Sequence, residues 1–149
     1  MKFKFNLEKV LNHRKIKLDI AQKEYMEALS FLNNEKEILN NLVVTKNEAI
    51  AERAAIVGQT FDWSLRVNQI NDFLKGHDFR IVQQNERLLK IEKLVESRRE
   101  ILKDSLSEVK IMERLKENKR AHFLQEERNK ENKELDEIST IRFVRMTKE

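Results

Sequence analysis

A chain with no proline and only two glycines, Gly58 and Gly76, has few places at which it can turn. Hairpins, Greek keys and βα loops draw on Gly, Pro, Asn, Asp and Ser to reverse direction, so this sequence cannot be cut into many short elements. Long helices are what remains. Charged residues make up 38% of the chain and the mean hydropathy is -0.69, so the apolar residues suffice for a narrow seam rather than a thick core. Without cysteine there is no disulfide framework, thiolate metal site or thiol nucleophile, which fits a reducing compartment. No apolar run approaches the roughly 18 residues that span a bilayer. The basic start of the chain continues into Glu8, Lys9, Asn12 and His13 instead of the apolar core of a signal peptide. The expectation is a cytosolic protein with no membrane span.

Apolar periodicity assigns the helices. In the first half Leu11, Leu18, Tyr25, Leu32 and Leu39 fall on position a of a seven-residue repeat, and Leu7, Ala21, Ala28, Leu42, Ala49 and Ile56 on position d, with Arg14 and Glu35 interrupting the d row. Such a repeat keeps one stripe facing a partner along a supercoil. A second repeat places Val67, Leu74, Ile81, Leu88, Val95, Leu102, Val109 and Phe123 on a, broken by Lys116. Its d row is more polar: Trp63, Ile70, His77, Gln84, Ile91, Arg98, Ser105, Met112 and Lys119. Leu94, Ile101, Leu106 and Leu115 flank that stripe and are expected to broaden it.

Boundary signals complete the outline. Asn6 is a candidate N-cap with Phe5 stapled onto Val10, and Gly58 is placed as an αL cap residue. Residues 58–62 are short enough to return the chain antiparallel. The predicted fold is all-α: one antiparallel coiled-coil hairpin over residues 1–149, with helices at about 6–57 and about 63–141, a turn at about 58–62 and a frayed C-terminal tail. At 1.5 Å per residue the helices span about 75 and about 115 Å, so the second is longer and its end beyond about Lys119 lacks an internal partner. Gly76 lies inside the second repeat, leaving open a continuous helix or a break with Asp78 capping a fresh one.

Chemistry is sparse. His13, His77 and His122 share no metal-ligand spacing, and neither glycine belongs to a phosphate-binding loop, so neither metal, nucleotide nor other cofactor is expected. A two-helix hairpin also lacks an enclosed pocket in which catalytic groups are desolvated, which sets enzymes aside. The formal charge is +4, but it divides into +2 over residues 1–57 and +2 over residues 58–149. This interspersed pattern is that of a solvated coiled coil rather than of a nucleic-acid-binding face. Phe61 and Trp63 are expected to plug the turn. Exposed apolar and basic groups near the C-terminus, Phe143 with Arg142 and Arg145, are the leading candidates for a partner contact.

Several stretches together carry a family resemblance. Phe5-Asn6-Leu7-Glu8-Lys9-Val10-Leu11 followed by Arg14 and Asp19-Ile20-Ala21, then Arg98-Arg99, Lys110 to Glu117, and Lys133 to Ile138 with Arg142 and Arg145, resemble in order and spacing the flagellar export protein FliJ family. The resemblance covers essentially the whole chain. It implies a component of the flagellar type III export apparatus, a coiled coil similar to the central stalk of rotary ATPases. The implied partners are the hexameric export ATPase FliI, entered by the helix termini, the export gate protein FlhA and export chaperones, with chaperone-like contact to export substrates and a place beside the inner-membrane gate. By the same resemblance the ATPase-ring contact falls on Phe143, Arg142, Arg145, Phe3 and Phe5. The gate contact falls on Phe73, Leu74 and His77, although His77 and Arg80 stand where apolar residues are the family's pattern. Outside the resemblance, a generic coiled-coil scaffold or dimerisation protein accounts for the same repeats.

Overall fold

Two helices carry nearly the whole chain in the computed structural model, which describes residues 2–148. Helix α1 is Glu8–Ile56 and helix α2 is Trp63–Thr147, and they pair antiparallel as a coiled-coil hairpin with the second helix the longer. The turn is closed by its own backbone. Gly58 adopts φ +73°, the left-handed conformation that ends α1, and Gln59 N–H donates to the Ile56 carbonyl. Arg66 N–H then donates to the carbonyl of Asp62, which makes Asp62 the capping residue of α2 and sets a carboxylate at the positive end of that helix. Phe61 is fully exposed at 108% and Trp63 is 37% exposed, so Phe61 does not plug the turn as expected, and backbone hydrogen bonds close the turn without it.

Most positions of both predicted seams are buried or half-buried, whereas the d residues Leu7, Trp63 and Lys119 stay exposed. Leu11, Ala21, Ala28, Leu32 and Ala49 of α1 and Ile70, Leu74, Leu88, Ile91 and Val109 of α2 form the core. Of the four flanking residues Leu115 is half-buried while Leu94, Ile101 and Leu106 stay exposed, so the second stripe broadens at one position and the interface otherwise remains a narrow a/d seam. Polar d residues are matched across it instead. The Gln84 amide donates to the Glu35 carboxylate at 2.7 Å and to the Glu35 carbonyl at 2.9 Å, while Arg87 pairs with the same carboxylate at 3.2 Å. Arg98 bonds Glu24 at 2.9 Å, and buried His77 reaches the Leu42 carbonyl through Nε2 at 2.6 Å. At His77, Gln84 and Arg98 the polarity that weakens the second d row in sequence therefore meets partners on α1, as buried polar groups require.

Contacts cluster into two units, Met1–Asp19 with Asp104–Glu149, and Ile20–Lys103. The second holds the turn and the clusters Leu32–Leu88–Ile91 and Ala49–Ile70–Leu74. In the first, Arg14 meets Glu108 at 2.6 Å and Lys116 meets Glu8 at 2.9 Å, so the charged interruptions at Arg14 and Lys116 are ion-paired. The Arg14 guanidinium beside Glu108 holds that carboxyl below its usual range. Pairs this exposed contribute little to stability and serve mainly to fix alignment.

Three boundary expectations shift. The first intrahelical bond runs from Leu11 N–H to the Leu7 carbonyl, so the cap of α1 is Leu7, one residue after Asn6, and the staple geometry between Phe5 and Val10 is lost with it. Helix α2 continues through residues 142–147, past the expected end near 141, because this stretch contains no Gly or Pro to stop it. It also passes through Gly76 without a break. A Cβ built on Gly76 meets nothing within 4 Å, so Gly76→Ala is expected to raise stability by about 1 kcal/mol. Urea denaturation followed by circular dichroism measures it, and a loss of stability would mean that residue 76 leaves helical geometry in solution.

Candidate docking surfaces

The unit formed by the N-terminal turn of α1 and the C-terminal part of α2 ends in an aromatic clasp. Phe3 packs on Phe123 with ring centroids 5.6 Å apart and planes tilted by 46°. Phe3 and Phe5 are half-buried here, so both contribute to closing this end of the hairpin. Beyond Phe123 the seam positions become Glu126, Lys130, Lys133 and Glu137, and no apolar stripe continues toward α1. Every residue from 128 to 148 is exposed. This single helix reaches about 36 Å past Phe123 at 1.5 Å per residue.

Apolar side chains return near its end. Leu135, Ile138, Ile141, Phe143, Val144 and Met146 are all exposed, Phe143 at 67%. Helical geometry divides the predicted ring-contact set: at 100° per residue Arg142 and Arg145 lie about 60° apart, whereas Phe143 lies about 160° from Arg145. The two arginines share one face with Ile138 and Ile141, and Phe143 stands on another. The hydroxyls of Thr140 and Thr147 donate to the carbonyls of Asp136 and Val144, which ties these side chains back to the helix.

The unit around the turn holds the second predicted set. Phe73 is half-exposed, while Leu74 belongs to the buried cluster with Ala49 and Ile70, and His77 is only 3% exposed. The Phe73 ring stacks on the His77 imidazole with centroids 5.2 Å apart. Only Phe73 of the three thus offers its side chain outward, with the stacked His77 ring fixing its position. It borders an open groove of about 440 Å³ floored by Ala49 and Ile70 and edged by Glu48, Glu52 and Arg66. Arg66 and Glu52 are joined at 2.7 Å. On the same flank Arg87 lies 5.9 Å over the half-exposed ring of Phe31, a residue the heptad reading passed over because its position, one before Leu32, is a flank of the seam. Its signal in the sequence was simply a large aromatic beside a core leucine.

Among the described residues no group of three His, Asp or Glu side chains is gathered as a metal site, and no helix is long and apolar enough to cross a membrane. Comparison with curated proteins and comparison with solved structures return no match. The family model described as "Flagellar FliJ protein" matches residues 3–148, almost the full length over which the paired helices and the exposed C-terminal helix extend, so the chain belongs to the FliJ family and is a flagellar export-related protein.

Proposed function

We propose that the chain is a stalk that joins the hexameric ring of the export ATPase FliI to the export gate protein FlhA. The observation that carries this reading is the exposed helix beyond Phe123, paired with nothing among the described residues and tipped with Ile138, Ile141, Arg142, Phe143 and Arg145. Large apolar side chains at the end of a solvated helix are costly to leave in water and are typical anchors of partner contacts. The tip enters the ring, and Phe3, clasped on Phe123, supports that end together with half-buried Phe5. Phe73, stacked on His77 beside buried Leu74 in the chain, is the gate contact. The protein then works in the cytoplasm against the membrane-embedded gate, and the exposed apolar flanks also serve a chaperone-like contact with export substrates.

Deletion of residues 139–149 is expected to leave the helical content and unfolding of the paired regions nearly unchanged while reducing ATPase binding and stimulation by at least tenfold. Phe143→Ala alone is expected to produce a smaller loss. Normal stimulation of the ATPase by the truncated chain would place the contact elsewhere.

A further inference from the structure

One stripe of the unpaired helix is complementary to itself. Residues 117, 121, 124, 128, 131, 135, 138 and 142 recur at alternating steps of four and three, a heptad seam of their own. They read Glu, Ala, Leu, Arg, Glu, Leu, Ile, Arg. Laid antiparallel against a second copy about a midpoint between residues 129 and 130, Leu124 meets Leu135, Ala121 meets Ile138, Arg128 meets Glu131 and Glu117 meets Arg142. The symmetry repeats each pairing on the other side. Every layer is either apolar against apolar or acid against base, and each joins one seam row to the other, as antiparallel coiled coils do.

Two further features favour this face. It lies about 100 to 150° around α2 from the a row that faces α1, so a second copy on it does not compete with the hairpin partner. All eight side chains are exposed, and none takes part in an ion pair among the described residues. One edge of the stripe, Asn118, Gln125, Asn132 and Ser139, is uncharged in a segment otherwise crowded with Lys and Glu. In the antiparallel arrangement these residues meet one another, with no like charges opposed. The other edge brings Glu127 near Glu134 of the second copy, a repulsion that opposes association and makes it weak.

We infer that residues 117–142 of α2 form a symmetric antiparallel contact with a second copy of this chain, centred on reciprocal Arg128–Glu131 pairs and flanked by Leu124–Leu135 layers. Parallel pairing is disfavoured because it sets Arg128 against Arg128 and Glu131 against Glu131. The inference does not rest on the stalk reading, and because this contact covers Ile138 and Arg142, a chain paired this way does not present them to the ATPase ring at the same time.

Sedimentation equilibrium of the full chain from about 1 to about 500 μM tests it, with a dissociation constant expected on the order of 10 to 100 μM. Arg128→Glu and Glu131→Arg are each expected to weaken association at least tenfold by opposing like charges in both central layers, and the double variant to restore it to within about threefold. Because the chain has no cysteine, Leu124→Cys and Leu135→Cys variants are also informative: the mixture is expected to cross-link 124 to 135 far faster than either variant cross-links to itself. A monomer over the whole range, a double variant as weak as the single ones, or equal self-cross-linking overturns the inference. Circular dichroism of each variant shows that the hairpin itself is intact.

Discussion

Leu88→Ala is expected to cost about 2 to 4 kcal/mol of stability, the usual range for emptying a buried leucine site. Leu88 packs with Leu32 and Ile91 in a cluster that Leu39 and Val95 only partly cover, so a seam one residue thick has no second layer to collapse into the space. Leu102→Ala is expected to cost less, about 1 to 2 kcal/mol, since that side chain is half-buried and the solvent takes part of the vacated volume. Urea denaturation of both variants gives the comparison. Equal losses would show that the two layers are equally buried in solution and that the narrow-seam picture is wrong.

His77 gives the second large effect, and its size depends on the replacement. With Nε2 2.6 Å from the Leu42 carbonyl, that nitrogen carries the proton and donates, which leaves Nδ1 as a buried acceptor without a partner. His77→Ala removes the donor, the stack on Phe73 and the packing volume together, and about 2 to 4 kcal/mol is the expected loss. His77→Leu keeps the volume and removes the orphaned nitrogen along with the hydrogen bond. The Leu42 carbonyl lies inside α1, where it accepts a helical hydrogen bond whether or not His77 is present, so it is not stranded. Losing a bond worth about 1 kcal/mol is then offset by relief of a desolvated acceptor of similar cost, and stability is expected to change by less than about 1 kcal/mol. A loss as large with leucine as with alanine would assign the energy to the hydrogen bond instead of to packing.

The contrast explains how far the sequence could be read. Period-3.5 patterning located both seams, because burial along a two-helix interface is dictated by a/d positions and little else. It could not say why His77, Gln84 and Arg98 interrupt the second row. Their partners, the Leu42 carbonyl, Glu35 and Glu24, lie on the other helix and are identified only once the register is known. The same limit applied to the surfaces. Phe73, Leu74 and His77 are neighbours in sequence, yet the seam takes two of them inward and leaves the aromatic ring outside. Phe143, Arg142 and Arg145 are adjacent in sequence, and helical rotation separates the ring from the charges. Helix α2 runs a few residues past its expected end because the stretch holds no residue that stops a helix.

The uninterrupted run of α2 past the Phe3–Phe123 clasp also couples distance to torsional phase. Each residue inserted between Phe123 and Ile138 advances the tip by about 1.5 Å and turns it by about 100°, whereas a seven-residue insertion advances it by about 10 Å and leaves its azimuth within about 20°. Length and angular bearing at the tip can therefore be varied separately by choosing the size of the insertion. A receptor that grips the tip from all sides would respond only to the change in length, and one that reads a single face would tolerate seven added residues while rejecting two.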